Sequence, residues 1–452
     1  MKKIIFLPIE TEARELDYKI VLASQLVEQD VVCIVGQHNV LNSIVHLFND
    51  GIYIGKNIFL DNMKSSNDIY KSYKDHNFSI FWYHEEGGIF GSGEEKWKII
   101  LKEILDPTRL AEDDLILSWG EFQKDFFESL KPKSSIHVVG SCRFEAHEGS
   151  ALRSLIEEGS RVKDRDFILI NTNFSGGNHF LPDQAYFKQG QLDTSNSSIN
   201  KEILKGEYHE DIKMMGYFCE MLSYLAQKNP EKKFVLRPHP TESKEIYQNT
   251  FHDFPNIKIT NEYSAVEWIE RCSVLIQCGC TTAVEAYFLD KPIISYYPFD
   301  TKHLVDITRD LGVLCKSPQE VNEVINRNSL ELGEYPLEGG LRPLISNFNK
   351  LETSTSKITD LSKVVLKSKT KNKIDLKKIK TIIRKQAIID LIKYYPRYLF
   401  HDKSEAYKMA KSHFPGLNFK DIDSKVKLLN SLNQNAMSIE FISKDLFILY
   451  NN

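Results

Sequence analysis

The sequence predicts an α/β protein built from two doubly wound domains, and two observations lead to that prediction. Apolar runs long enough for buried strands alternate with segments of helical apolar spacing, and this pattern occurs twice. Such alternation is typical of βαβ units and a parallel sheet. A chain of 452 residues is also too long for one core. The sequence therefore predicts two parallel sheets that face a cleft.

The first domain is predicted to span residues 1–150. It opens with a strand at 3–9 and a helix at 15–29, where apolar residues recur at helical spacing. Further buried runs predict strands at 31–36, 78–83, 115–119 and 136–139, with helices at 96–105 and 122–130.

A charged stretch at 146–165 is the predicted domain link, and the second domain is predicted to span residues 165–350. A polar insertion at 178–207 is predicted to be a surface loop. The predicted strands are 167–170, 233–236, 257–260, 274–277 and 293–296, and the predicted helices are 212–227, 265–271, 281–289 and 319–325.

The C-terminal region, residues 360–452, differs from both domains and is predicted to be a basic helical segment. Ten Lys and Arg residues but a single Asp lie between Lys363 and Lys385, with isoleucine and leucine interleaved. One interpretation is a helical appendage that packs on the second domain and exposes a solvated basic face. The other is an amphipathic, basic contact with an anionic membrane surface.

Composition narrows the class of protein. The hydrophobic share of 42% and charged share of 27% are ordinary for a soluble globular chain, and a net charge of -4 gives no sign of a nucleic-acid partner. The apolar stretch at the start stops at Glu10 without a small-residue cleavage site, which favours a first strand over a signal peptide. Seven scattered cysteines, several inside apolar runs, favour a reduced, cytoplasmic protein.

The tetrapeptide Arg237-Pro238-His239-Pro240 follows a predicted strand of the second domain. Ligands of open α/β sheets bind outside the carboxyl ends of the strands. Two prolines stiffen the backbone around His239, and Arg237 adds a permanent charge of the kind that phosphate recognition favours. The motif predicts a phosphate contact, and the alternative is a structural turn.

The tripeptide Glu85-Glu86-Gly87 follows the predicted strand at 78–83. Two adjacent carboxylates cannot both be buried and ionised cheaply, so the pKa of one should rise. A raised carboxylate suits a general base that deprotonates a sugar hydroxyl. The alternative is a solvated pair on a loop.

Other strand-end loops supply further candidates. Gly279-Cys280-Thr281-Thr282 opens a predicted helix that contains Glu285, which indicates an anion site, a capping box, or both at once. Asn171-Thr172-Asn173 occupies the equivalent loop after the first strand of the second domain. In the first domain, Glu10, Arg14, Glu15 and Asp17 cluster after the first strand. Glu15 and Asp17 suit the start of the helix, whereas Glu10 and Arg14 suit the cleft.

These motifs carry a resemblance that spans almost the whole chain. The chain resembles the bacterial family of surface carbohydrate biosynthesis proteins, and Gly279–Ala286 is the most specific part of that resemblance. More distantly, an acidic-acidic-Gly motif paired with a His-Pro motif is similar to bacterial sialyltransferases and capsular Kdo transferases. The other matching stretches are 8–10, 14–17, 51–56, 85–87, 237–240 and 413–416.

The resemblance implies a GT-B fold with two Rossmann-like domains and an enzyme that needs no metal or cofactor. It implies that Glu85 or Glu86 is the catalytic base, and that His239 contacts the phosphate of a CMP-activated donor. It further implies that Thr281 and Thr282 hold the same phosphate. The expected donor-binding residues are Asn171, Thr172, Asn173, Arg237, His239, Gly279, Thr281, Thr282 and Glu285.

The leading hypothesis is a glycosyltransferase of surface polysaccharide biosynthesis. It would transfer an ulosonic acid of the Kdo, sialic, legionaminic or pseudaminic type from CMP to a glycan or glycolipid acceptor near Glu10, Arg14 and Glu15. One alternative is a transferase that uses a UDP-sugar or CDP-glycerol. Another is a non-catalytic subunit of a glycan assembly complex.

Overall fold

The computed structural model describes residues 1–28, 30–58, 69–84, 91, 93–104, 106–180, 198–327, 340–348, 352–400, 414–433 and 436–451. Within them, two sheets of parallel strands alternate with helices along the chain. The predicted α/β class with two Rossmann-like, doubly wound domains is confirmed.

The first sheet has eight strands, and six of them come from the N-terminal part of the chain in parallel pairing. They are β1 Lys3–Ile9, β2 Val31–Gln37, β3 Gly51–Gly55, β4 Phe78–Tyr83, β5 Leu115–Ser118 and β6 Ser135–Val138. The remaining two are β13 Met437–Ser443 and β14 Leu446–Asn451. The order across the sheet is β13-β14-β2-β1-β3-β4-β5-β6.

The second sheet has six parallel strands in the order β12-β11-β10-β7-β8-β9. They are β7 Phe167–Asn171, β8 Phe234–Arg237, β9 Ile257–Ile259, β10 Cys272–Gln277, β11 Ile293–Tyr296 and β12 Val313–Cys315.

Both faces of the first sheet are covered, which explains why its strands read as continuous apolar runs. Ile5 and Leu7 of β1 share a hydrophobic cluster with Leu16, whereas Ile4 and Phe6 belong to a second cluster on the other face. All four of these β1 side chains are fully buried.

The helices of the described residues are α1 Glu12–Leu26, α2 His38–Ile44, α3 Ile69–Lys74, α4 Gly93–Ile104, α5 Glu121–Ser129, α6 Ala151–Gly159, α7 Ser198–Lys228, α8 Glu245–Thr250, α9 Ala265–Arg271, α10 Thr282–Phe288, α11 Pro318–Ile325, α12 Ser354–Leu366, α13 Leu376–Phe400 and α14 Phe419–Asn433. Helix α7 begins at Ser198, so the last part of the predicted surface loop is helical instead. Residues 181–197 of that loop lie outside the described residues.

The C-terminal region is helical over α12, α13 and α14, but it also contains the hairpin β13–β14, which the sequence analysis read as helical. Strand β14 pairs antiparallel with β2, and the hairpin thereby extends the first sheet. Gly36 of β2 permits this approach, because a Cβ there would lie 2.3 Å from the carbonyl oxygen of Asp445.

The basic helix α13 packs on the first domain, and the expected packing on the second domain is wrong. Its Ile379 and Ile383 are buried in the same hydrophobic cluster as Leu41 and Ile44 of α2. Just before the helix, Asn372 forms an antiparallel bridge with Lys2. No helix among the described residues is long and apolar enough to cross a membrane.

Each sheet has a topological switch point. From one central strand the chain first adds a strand on one side and later adds another strand on the opposite side. In the first sheet β1 lies between β2 and β3, and in the second β7 lies between β8 and β10. Ligands of doubly wound folds bind at the carboxyl ends of such strands. The loops after β1 and β3 and those after β7 and β10 are therefore where a site is expected.

Candidate functional site

A cavity lies at the switch point of the second sheet and is walled by residues of both domains. Its described lining has three arginines and one histidine against two carboxylates, which makes it an electropositive site. The polar lining residues are Thr11, Arg14, Asp17, Tyr18, Arg143, Asn171, Thr172, Asn173, Arg237, His239, Cys280, Thr281, Thr282 and Glu285. Of the residues predicted to bind a donor, all except Gly279 line this cavity.

The loops after β7 and β10 are tied together by amide side chains. Asn171 Nδ2 donates to Thr282 Oγ1 at 3.1 Å, and Asn173 Nδ2 donates to the carbonyl oxygen of Gly279 at 3.1 Å. Gly279 has a φ of +60°, a conformation that favours glycine, and its N–H donates to Tyr297 Oη. Gly279 thus shapes the loop without facing the cavity.

Arg237 is the last residue of β8 and is only 7% exposed. Its Nη2 donates to the carbonyl oxygen of Tyr263 at 2.8 Å, which fixes the guanidinium. Burial lowers the pKa of Arg237, although the nearby Glu285 carboxylate opposes that shift. A buried guanidinium on a cavity wall is a fixed positive charge in a low-dielectric setting.

His239 is held by two hydroxyl groups and one backbone N–H. Its Nδ1 lies 3.1 Å from Ser175 Oγ and 2.8 Å from Thr241 Oγ1, and the N–H of Thr241 donates to the same nitrogen at 3.3 Å. A backbone N–H can only donate, so these contacts favour a neutral ring with its proton on Nε2. That proton faces the cavity.

Arg14 reaches the cavity from the first turn of α1 in the first domain. Its Nη2 lies 3.5 Å from His239 Nε2, across the boundary between the domains. A guanidinium is always a donor, so a direct hydrogen bond at 3.5 Å would require Nε2 to accept, whereas the shorter contact from the Thr241 N–H makes Nδ1 the acceptor and leaves Nε2 protonated. We take the shorter contact as decisive, and Arg14 and His239 then both donate. Two donors that converge in this way suit an anion held between them.

Glu285 of α10 also lines the cavity and is 4% exposed. Its Oε1 accepts a 2.6 Å hydrogen bond from Nε of Arg143, which follows β6 in the first domain. The ion pair joins the domains at the cavity and restrains both side chains.

Among the described residues of the lining, the buried atoms Asn171 Oδ1, Arg237 Nε and Glu285 Oε2 have no hydrogen-bond partner. Buried polar groups are nearly always paired in folded proteins, and an orphaned one costs roughly 1–3 kcal/mol. One donor and two acceptors of this kind in one cavity indicate a polar ligand that satisfies both types.

The predicted capping box at the start of α10 is absent. Thr281 is the N-cap residue but makes no side-chain capping bond, and Glu285 pairs with Arg143 instead. Thr282 Oγ1 accepts from Asn171 and donates to the Cys280 sulfur at 3.0 Å. Both threonines line the cavity.

Two residues predicted near the acceptor lie outside the described lining. Glu15 is 2% exposed and accepts hydrogen bonds from the N–H groups of Glu10 and Thr11, so it serves the start of its own helix. Glu10 pairs with Lys56 at 2.9 Å at the carboxyl edge of the first sheet. Burial raises the pKa of Glu10, but the charge of Lys56 and the hydrogen bonds from Lys56 and Asn57 together outweigh burial and hold the pKa below its usual value.

Glu85 and Glu86, the predicted catalytic carboxylates, lie outside the described residues, as do Gly87 and His413. The described chain stops at His84, directly after β4, and resumes at residue 91. Among the described residues, no group of three or more His, Cys, Asp or Glu side chains is arranged to hold a metal ion.

Sequence reasoning missed Arg143 and Glu242. Arg143 follows β6 closely, so the strand-end rule applied to that strand would have found it. Glu242 comes two residues after the His-Pro motif and is 3% exposed. Its burial depends on contacts with the loop after β7, which the sequence does not display.

No protein-family model matches the chain, and no curated protein matches it in sequence. Solved structures of similar shape include UDP-GlcNAc 2-epimerase of Methanocaldococcus jannaschii in complex with UDP-GlcNAc and UDP, at 14% identity and a TM-score of 0.41. That match covers 80% of this chain and 100% of the other. S. aureus MnaA with UDP matches at 13% identity and a TM-score of 0.43, covering 81% and 97% of the two chains.

The wall teichoic acid polymerase TagF, as its H548A variant, matches at 11% identity and a TM-score of 0.47. That match covers 81% of this chain and 89% of the polymerase. At these values nothing about the activity of this chain follows from the similarity.

Proposed function

We propose that this protein is a metal-independent glycosyltransferase of surface polysaccharide biosynthesis. It transfers an ulosonic acid from a CMP-activated donor to a glycan or glycolipid acceptor. The observation that carries the proposal is the cavity at the switch point of the second sheet, where Arg14 and His239 converge from opposite domains.

The chemistry of the cavity suits a nucleoside monophosphate. Arg14, Arg237 and His239 supply donors for an anionic phosphate, and Arg237 Nε is still unpaired. Asn171 Oδ1 and Glu285 Oε2 are acceptors, which suit the hydroxyl groups of a ribose or the exocyclic amine of cytosine. A phosphate group alone would leave both acceptors without partners.

In the proposed reaction, the hydroxyl oxygen of the acceptor attacks the anomeric carbon of the donor. The bond from that carbon to the phosphate oxygen breaks, and CMP leaves with the electron pair. Glu85 or Glu86 takes the hydroxyl proton, while His239 and Arg14 stabilise the phosphate charge that develops.

We further propose that the protein associates with the inner face of the cytoplasmic membrane. Lys377, Lys378, Arg384 and Lys385 are exposed on α13, and Ile388 beside them is 56% exposed. Their spacing places them on one side of the helix, opposite the buried Ile379 and Ile383. Each cation near an anionic surface contributes roughly 1 kcal/mol at most.

A thermal-shift screen against CMP, UDP, CDP and GDP tests the proposal at the level of the nucleotide. CMP at 100 times its dissociation constant should stabilise the protein by about 2.7 kcal/mol. Stabilisation by UDP or CDP alone would favour a UDP-sugar or CDP-glycerol transferase. Stabilisation by none of the four would favour a non-catalytic subunit.

A further inference from the structure

Glu242 is a buried carboxylate whose partners come from two loops that both line the cavity. Thr172 Oγ1 donates to its Oε1 and Oε2 at 2.9 and 3.0 Å, and the N–H of Phe174 donates to Oε1 at 3.0 Å. These two residues belong to the loop after β7.

The other partners of Glu242 come from the second loop and from helix α8. The N–H of His239 donates to Oε1 at 3.2 Å, and Tyr247 Oη donates to Oε2 at 2.6 Å. The N–H of Glu242 donates in return to the carbonyl oxygen of His239 at 2.9 Å. One side chain therefore links Thr172 and Phe174 to the backbone of His239.

None of the ion pairs among the described residues includes Glu242, so hydrogen bonds alone compensate its burial. Burial raises the pKa of Glu242, while the bonds from Tyr247, Phe174 and Thr172 oppose that shift. A carboxylate that accepts from several fixed donors in a dry setting is costly to displace. That cost makes the geometry of the two loops rigid.

The same geometry fixes the ring of His239. Thr241 lies between His239 and Glu242, and its N–H and hydroxyl both meet Nδ1 of the ring. Ser175, in the loop held by Glu242, meets Nδ1 as well and also lies 2.6 Å from Thr241 Oγ1. A shift of either loop would remove a contact that keeps the proton on Nε2.

We propose that Glu242 is a positioning residue that locks the loops after β7 and β8 together and thereby presents the Nε2 proton of His239 to the anionic group of the ligand. Glu242 does not touch the ligand itself and is not among the described lining residues of the cavity. The identity of that ligand as CMP rests on the proposed function, whereas the effect on the ring of His239 does not.

The test compares the intact protein with its Glu242→Gln variant by two measurements. Imidazole ¹⁵N NMR, with His239→Ala as the assignment reference, reports which ring nitrogen carries the proton, and calorimetry reports the affinity for CMP. A glutamine has one acceptor oxygen and an NH₂ group that clashes with the donors it would face. We expect a mixed tautomer at His239 and at least tenfold weaker CMP binding.

Glu145→Gln is the matched control, since Glu145 is 5% exposed, is hydrogen-bonded to Thr355 and is not among the described lining residues of the cavity. It should keep the wild-type tautomer and affinity. If Glu242→Gln does not fold, Tyr247→Phe removes one donor to the same carboxylate and should shift the tautomer in the same direction, by less.

A folded Glu242→Gln variant, or Tyr247→Phe in its place, with the wild-type tautomer at His239 would overturn the inference. So would an equal change in Glu145→Gln. If the wild-type protein does not bind CMP, the proposal that CMP is the nucleotide is wrong. The tautomer measurement would still decide the role of Glu242.

Discussion

Arg14 Nη2 in the first domain lies 3.5 Å from His239 Nε2 in the second. Arg14 lies in the first turn of α1 and His239 in the loop after β8, 225 positions apart in the chain. Their approach makes the cavity a property of both domains together, because neither domain alone would present both donors to one anion.

Replacing Arg14 with Ala should weaken CMP binding by roughly 10- to 100-fold, because a hydrogen bond to a charged group contributes about 1.5–3 kcal/mol. Arg14→Lys should recover part of the loss, since it keeps the charge but not the planar fork. Calorimetry measures both variants. Arg165→Ala, at an exposed arginine before β7, is the control. Wild-type affinity in Arg14→Ala would place the anion elsewhere.

Gln at the catalytic member of the Glu85 and Glu86 pair should nearly abolish transfer from a CMP-ulosonic acid donor. The substitution keeps the shape and removes the base, so CMP affinity should stay at the wild-type level. Gly87 has no side chain, and its place next to Glu86 in the sequence favours Glu86 as the catalytic member. Initial rates and calorimetry on both single variants test this.

If both Gln variants keep the wild-type transfer rate, the catalytic base is neither Glu85 nor Glu86. Glu15 accepts backbone hydrogen bonds at the start of α1, so Glu10 would be the next candidate for the base. Against the effect of burial, the pKa of Glu10 is lowered by Lys56.

Glu145 should make stability depend on pH. Burial raises its pKa to about 7 from an unfolded value of 4.5, despite the hydrogen bonds from Thr355. The folded state therefore holds this proton more tightly than the unfolded state does. The contribution of Glu145 is full below pH 4.5 and is lost as the pH rises to about 7.

Glu145→Gln removes that titration. Relative to wild type, the free energy of unfolding of Glu145→Gln should rise between pH 4.5 and about pH 7, by on the order of 3 kcal/mol. Urea unfolding of both proteins between pH 4 and pH 8 measures the difference. A difference that is flat with pH would show that Glu145 does not titrate in this range.

Reversing the charges of Lys377, Lys378, Arg384 and Lys385 to Glu should abolish binding to anionic vesicles. Wild-type protein should bind these vesicles in a salt-sensitive way and ignore neutral ones, because the attraction is screened. Co-sedimentation is the measurement. Lys371 is left out of the variant because it pairs with Asp30 at 3.1 Å.

The control reverses four exposed lysines of the second domain, Lys228, Lys233, Lys302 and Lys316, and so makes the same change in net charge. Equal vesicle binding by all three proteins, or none by any, would leave the basic face of α13 as a solvated surface.

The sequence was informative where function follows strand ends. Asn171, Arg237 and Thr281 could be assigned to one edge because the carboxyl ends of parallel strands meet there. It was uninformative where a residue depends on contacts between distant parts of the chain. Arg143 meets Glu285 only because the domains pack together, and Glu242 is buried only because two loops fold over it.

The C-terminal region shows the same limit. The stretch at 437–450 has strand-like apolar runs with Lys444 and Asp445 between them, and a hairpin could have been predicted there. The pairing of this hairpin with β2, more than 400 positions earlier, depends on tertiary packing and could not be predicted from the local sequence. The packing of α13 on the first domain was likewise misread, because that helix follows the second domain in sequence.

The most direct test of the account is a calorimetric titration of CMP and of UDP into the intact protein, repeated with His239→Ala. We expect CMP to bind one site per chain and UDP to bind far more weakly. The His239→Ala variant should lose most of the CMP affinity while its unfolding temperature stays the same. Tight binding of UDP with no binding of CMP would contradict the account.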